Sequence, residues 1–352
     1  MHITREVPLA PMSTLGLGGP ATLVVDLPDL GGFPDFVELA RHYSGTPVCV
    51  GDGSNVLFSD AGCAAPVLRL RTTGVRFTRE PHGRVLAEVQ AGHPLSDLVA
   101  ATIAEGLSGM EMLVGIPGTA GATPVQNVGA YGQEVSDTLV EVTAWDWALS
   151  RRVRMSAAAC GLGHRTSTFK GSRRWTLLTL VFALRPALLS APIAYRQVAD
   201  QLGVPVGTRV PMTEAAQAVL TVRRGKGMVI EGAGPDGRSA GSVFLSPELT
   251  PAQARSLRTR RAPVNEFPDG STRISASWLI KNAGFALASR VVDGIRISSQ
   301  QYTLVAEGDA TADGFADAIG VVLRRTLDRT GVRLIPEIDF LGEWQTPAYD
   351  MP

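Results

Sequence analysis

The sequence predicts an α+β protein of more than one domain. Three observations carry this. The 352 residues exceed what a single core usually serves. Apolar residues make up 45%, enough for real cores. Strand-like runs and helical spacing both recur along the chain. With 38 Gly and 23 Pro, many tight turns and loops that approach a ligand closely are expected.

Three stretches differ in texture. The first, 1–71, reads as short β/α units. Ala21–Asp26 is strand-like, Phe33–Tyr43 has helical spacing through Phe33, Phe36, Val37 and Ala40, and Thr46–Val50 is an apolar run entering a turn at Gly51. The second stretch is 72–226. Val85–Ala91 alternates like a strand, and Leu95–Glu105 has a helical apolar face. Val140–Trp147 and Thr176–Leu184 read as further strands, and Thr213–Arg223 as a helix. The third stretch is 227–340. Pro251–Arg260 and Ser277–Ala283 read as helices, and Ala312–Thr330 is the clearest helix, with Phe315, Ile319, Val322, Leu323 and Thr326 in step. Leu334–Leu341 is strand-like.

Composition excludes several function classes. Lys plus Arg is 33 and Asp plus Glu is 33, so no basic excess exists to displace counterions, and neither a nucleic-acid nor a membrane partner is expected. The most apolar stretch, Thr176–Tyr195, is broken by Arg185, Pro186 and Pro192 and cannot be a spanning helix. The N-terminal MHITREVPLAPMS has no apolar signal-peptide core, so no secretory signal is expected. Cys49, Cys63 and Cys160 are sparse and form no CxxC pair, which suits a reducing cytoplasm. The five His form no metal-binding spacing, so no metal is expected.

Gly16–Ala21 formally fits a dinucleotide fingerprint but fails on context, because a strand follows it rather than precedes it. No P-loop is present. Two other glycine-rich segments are more informative. Gly51–Leu57 leaves a short strand and can present successive N–H groups, a hydroxyl and an amide to a diphosphate. Gly115–Gly132 is poor material for helix or strand, and a loop of that length inside a compact domain is usually functional. Its Thr119, Thr123, Gln126, Asn127 and Tyr131 are neutral hydrogen-bonding groups, suited to a flavin edge and a pyrophosphate rather than a metal.

These segments, with Thr14–Ala21, Cys160–Lys170, Arg224–Val229, Gly241–Phe244 and Pro336–Glu337, resemble in order and spacing the UDP-N-acetylenolpyruvoylglucosamine reductase family. The resemblance implies a two-part FAD-binding module of the vanillyl-alcohol-oxidase/PCMH type and a C-terminal α+β substrate-binding domain. The implied parts are 1–71 and 72–226 for FAD and 227–340 for substrate, with the tail 341–352 packing back on the first part. It further implies FAD as cofactor, NADPH as hydride donor, a UDP-sugar nucleotide as substrate, a monomer, and a cytoplasmic role in peptidoglycan synthesis and so in cell wall biogenesis, cell shape and division. The implied cofactor contacts are Gly51, Gly53, Ser54, Asn55, Val56, Ile116, Pro117, Gly118, Thr119, Gly121, Gln126, Asn127 and Gly129.

By the same resemblance Arg165 grips the substrate carboxylate, as a guanidinium can with two parallel bonds. Ser242 gives a proton to carbon, and Glu337 polarises the enol side of the intermediate. Lys226, Tyr131 and Tyr195 are implied at the sugar nucleotide, with Ser246 and Asn282 as further substrate contacts. Lys170 and Arg223 are expected as charges on a solvated face. The sequence departs from the family pattern at His164, Val243, Ser246, Ser277–Asn282 and Gln301-Tyr302, mostly in the third stretch. A paralogous FAD-dependent oxidoreductase acting on a related enolpyruvyl or unsaturated nucleotide is therefore the alternative reading.

Overall fold

The computed structural model describes residues 1–229, 234, 236–267 and 269–344. The chain divides into two compact units that exchange segments. The first contains Met1–Val7, Ala21–Asp52 and 64–229; the second contains Pro8–Pro20, Gly53–Cys63 and the described residues from 234 onward.

The first unit holds two sheets. In one, the strands Pro20–Leu27, Val67–Leu70 and Val48–Val50 run parallel side by side, with His2–Pro8 at the edge. Helix α1 (Phe33–Ala40) begins with a proline in its first turn and buries Phe33, Phe36, Val37 and Ala40, the spacing of one helical face. The other sheet is antiparallel, in the order Arg151–Ser156, Leu139–Asp146, Trp175–Pro186, Val85–Gln90, Val75–Arg79. Val85–Gln90 alternates buried with more exposed positions, as a sheet with one packed face requires. Helix α2 (Leu95–Ala104) packs Leu95, Leu98 and Val99 into the same core. Helices α3 (Arg196–Leu202) and α4 (Met212–Gly225) form a satellite core with Met112, Ile193 and Val219.

The second unit is built on helices α5 (Pro251–Thr259), α6 (Ala276–Asn282) and α7 (Ala312–Thr330), two small antiparallel sheets, and a parallel pair joining Asp339–Leu341 to Val56–Phe58. Helix α7 starts at Thr311, whose side chain accepts from Gly314 N, and stops at Gly331 in the left-handed region. Asp60 adds a second cap, accepting from Ala312 N at 3.0 Å and Asp313 N at 2.9 Å. Phe315, Ile319 and Val322 carry this helix into a core shared with Leu15, Leu17 and Leu57.

The residues Gly16–Ala21 serve packing. A Cβ at Gly19 would lie 2.0 Å from the Asp60 carbonyl oxygen, and one at Gly18 would lie 2.5 Å from the Phe58 Cβ. Residues 341–343 lie against residues 59–62: Ser59 N donates to Leu341 O at 2.9 Å and Glu343 N to Gly62 O at 2.9 Å. Residues 345–352 of the expected tail lie outside the described residues. Among the described residues no helix is long and apolar enough to cross a membrane, and no cluster of His, Cys, Asp or Glu could hold a metal ion.

Candidate active site

Within the first unit, Gly51 at the start of one glycine-rich loop lies against Thr119 of the other. A Cβ at Gly51 would sit 2.8 Å from the Thr119 Oγ1, so the absence of a side chain there is what lets the loops meet. The 115–132 loop is fixed from behind. Leu95 N donates to Gly118 O at 2.9 Å, Ala120 N to His93 O at 2.8 Å, and Gly121 N to Ala91 O at 2.8 Å. Thr119 and Thr123 are buried, Ile116 and Gln126 half-buried, and Pro117 exposed.

The Asn127 side chain is engaged by its neighbours in the protein. Its side chain is 1% exposed and satisfied within the protein. Nδ2 donates to Glu134 Oε2, Ser136 Oγ and Gly163 O, and Oδ1 accepts from Ser136 N. An amide so occupied has no donor left to offer a cofactor, so its side chain serves as a brace of the loop.

Arg165 sits beside that brace, with a backbone φ of 52°. Its Nη1 donates to Asn127 O at 3.0 Å and its Nη2 to Gly129 O at 2.7 Å, while Glu134 lies 3.9 Å away. The guanidinium is thus fixed against the glycine-rich loop before any substrate arrives. Tyr131 and Tyr195 form an edge-on pair with centroids 5.5 Å apart, and Lys226 Nζ lies 5.9 Å from the Tyr131 ring while bonding Gln197. Burial, and then the nearby Arg223 charge, hold the Lys226 ammonium below its ordinary pKa.

Arg223 corrects the sequence reading. It is not on a solvated face but 8% exposed, with Nη2 donating to Gly115 O and Met228 O, each at 3.1 Å. Helix α4 brings it under the start of the loop. Its place one turn from the buried Val219 was the signal in the sequence. Burial pushes its pKa down. Lys170 is half-buried.

The second unit gathers the remaining residues. Gly53 has φ 65°, and a Cβ on it would lie 1.9 Å from the Met12 carbonyl oxygen, so no other residue fits. Thr14 N donates to Gly53 O at 3.1 Å. The buried Ser13 Oγ and Thr14 Oγ1 have no partner in the protein. Two hydroxyls hidden beside a glycine turn fit a bound phosphate group, whose oxygens would satisfy them. Nothing in the local sequence marks either hydroxyl, beyond Thr14 opening the Thr14–Ala21 segment.

Asn55 ties this loop to the chain end: its Nδ2 donates to Glu337 O at 3.3 Å and its carbonyl accepts from Asp339 N at 3.0 Å. Val56 then opens the parallel pair with Asp339. Glu337 in turn meets the Ser242 segment. Glu337 N donates to Val243 O at 2.7 Å, Leu245 N donates to Ile335 O at 2.9 Å, and Phe244 bridges Pro336. Ser242 is exposed, Glu337 half-buried.

Ser246 and Asn282 sit on neighbouring elements of this unit. The segment after Ser246 pairs with 272–274, through Leu249 N to Thr272 O and Ile274 N to Pro247 O, just before α6 begins. Asn282 ends α6, about 10 Å further on at the rise of a helix. Its amide turns back to Trp278 O at 2.8 Å.

Comparison with known proteins decides the family. A profile described as "FAD binding domain" matches residues 31–156, and one described as "UDP-N-acetylenolpyruvoylglucosamine reductase, C-terminal domain" matches residues 234–341. A protein named UDP-N-acetylenolpyruvoylglucosamine reductase from Salinispora arenicola is 39% identical over 96% of this chain and 95% of its own. The chain belongs to the UDP-N-acetylenolpyruvoylglucosamine reductase family. A second reductase of this name, from Thermobifida fusca, is 43% identical over 80% of this chain and 82% of its own. The crystal structure of the Thermus caldophilus UDP-N-acetylenolpyruvylglucosamine reductase covers 97% of this chain and 99% of its own with a TM-score of 0.64, and at 24% identity it speaks for the fold. As a member of this reductase family the chain is an FAD enzyme of α+β fold.

Proposed function

We propose that the protein uses NADPH to reduce the enolpyruvyl double bond of UDP-N-acetylglucosamine enolpyruvate, giving UDP-N-acetylmuramate. The observation that carries this reading is the 39% identity to a UDP-N-acetylenolpyruvoylglucosamine reductase over 96% of this chain, supported by the backbone bond from Glu337 N to Val243 O, which sets the two candidate segments side by side. FAD, when bound, would supply the two-electron redox chemistry between NADPH and the enolpyruvyl methylene carbon. A proton enters at the neighbouring carbon, so one NADPH and one proton are consumed for each double bond saturated.

This chain's residues manage charge and protons. Negative charge grows on the substrate carboxylate as the hydride arrives, and preorganised donors stabilise it most when they need not reorganise. Arg165, fixed against Asn127 O and Gly129 O, is the donor we assign to that carboxylate. Ser242 Oγ is the proton source, exposed so that water can reprotonate it. Glu337 polarises the enol oxygen side. Lys226, with Tyr131 and Tyr195, provides positive charge and ring faces for a nucleotide diphosphate. We further assign the enzyme to peptidoglycan precursor synthesis in the cytoplasm.

The test is direct. Purified protein should be yellow, NADPH should bleach it under anaerobic conditions, and the enolpyruvyl nucleotide should restore the colour with formation of the muramate. A bleached protein that the nucleotide neither binds nor reoxidises would assign the site to a related unsaturated nucleotide instead.

A further inference from the structure

Ser242 lies in a stretch with no regular secondary structure, and an exposed serine in such a stretch has no reason to hold one position. The structure supplies one. Thr303, 7% exposed, precedes the strand Leu304–Ala306. Its hydroxyl donates to Gly241 O at 2.6 Å and accepts from Val243 N at 3.2 Å. The two bonds take hold of the residues on either side of Ser242. Further back the same stretch is laid along the strand: Ser239 bridges Val305, and Ala306 N donates to Arg238 O at 3.0 Å. On its other edge Val243 O accepts from Glu337 N. Gly241 stands at φ 68°, so the chain bends sharply where the hydroxyl grips it.

We propose that Thr303 is a positioning residue for proton delivery, fixing Ser242 through the flanking residues without touching substrate. This rests on the assignment of Ser242 as proton donor. A single hydroxyl that both donates and accepts is the smallest group able to tie the residue before Ser242 to the residue after it. Serine could replace it; valine, of the same shape, could make neither bond. Displacements on the order of 1 Å at a reacting group cost on the order of 10²-fold in rate, which sets the expected effect.

The experiment separates the two half-reactions by anaerobic stopped flow, in holoenzyme carrying T303V, T303S, S242A or S242A/T303V. T303V should slow reoxidation of reduced flavin by the enolpyruvyl nucleotide on the order of 10²-fold. Reduction by NADPH and the flavin spectrum should not change, and T303S should recover the wild-type reoxidation rate. In the S242A background T303V should add no further loss, because the group it positions is gone. T303A repeats the comparison if the valine variant folds poorly. Wild-type reoxidation in T303V, or a full additional loss in the double variant, overturns the proposal. S242A with wild-type reoxidation would instead remove the proton-donor assignment itself, and a wild-type enzyme that the nucleotide fails to reoxidise would remove the proposed reaction.

Discussion

The backbone N–H of Glu337 donates to the carbonyl of Val243 at 2.7 Å. That bond places the proposed polarising carboxyl one residue out of step with the proposed proton donor. The groups are almost a hundred residues apart in sequence, yet the second unit holds them on neighbouring strands of chain. If they serve one reaction step, each should be removable without disturbing the other half of the cycle.

The first prediction follows. S242A should reduce the rate of flavin reoxidation by the enolpyruvyl nucleotide by about 10²–10⁴-fold, the usual worth of a positioned general acid. Reduction by NADPH should stay fast. Rapid-mixing absorbance at the flavin band measures both, and unchanged turnover in S242A would remove the assignment.

Arg165 should resist conservative replacement. R165K keeps a charge but cannot span the Asn127 and Gly129 carbonyls with a planar fork. Its kcat/KM for the nucleotide should fall on the order of 10²-fold, the size expected when a preorganised donor is lost. Steady-state kinetics against nucleotide concentration reads this, and full activity in R165K would argue for a purely structural arginine.

The meeting of the two loops can be tested by complementation. G51A forces a methyl against Thr119 Oγ1 at 2.8 Å and should lower FAD retention. G51A/T119A removes the obstructing oxygen and should regain part of it. FAD content per polypeptide after gel filtration gives the answer.

A buried carboxylate should make the fold sensitive to acid. Glu111 is 0% exposed and accepts from Ser108 Oγ, Gly109 N and Ala191 N. Burial pushes its carboxyl up, but the bonds from Gln133, Gly109 and Ala191 outweigh burial and hold it below 4.5. A carboxyl lowered on folding stabilises the protein above its unfolded pKa, and that contribution fades as pH falls from about 4.5 through the folded value. E111Q should lose about 1.5–3 kcal/mol at neutral pH, the range for bonds to a charged group, and should show a shallower acid decline. Denaturant titrations at several pH values measure both.

Much of the fold is legible in the sequence, for identifiable reasons. Helix α7 announces itself through a strict apolar face between Thr311 and Gly331, and its bounds agree with the expected Ala312–Thr330. Helix α1 and the strand Val85–Gln90 carry equally local signals. The exchange of 8–20 and 53–63 into the second unit is a long-range matter: Asp60 capping α7 and Val56 pairing with Asp339 leave no trace in local periodicity. The glycine loops were readable because close backbone approach demands glycine itself, as at Gly53. The burial of Arg223 is hard to read in the sequence because a polar side chain looks the same there whether it faces solvent or braces a loop from inside. Thr303 was invisible for the same reason.

The central claim is that this chain turns over an enolpyruvyl nucleotide, and single-turnover reoxidation tests it most directly. Enzyme reduced with one equivalent of NADPH is mixed anaerobically with UDP-N-acetylglucosamine enolpyruvate while the flavin absorbance is followed. Full return of oxidised flavin with one equivalent of UDP-N-acetylmuramate formed is the expected result. Flavin that stays reduced in the presence of saturating nucleotide would contradict it.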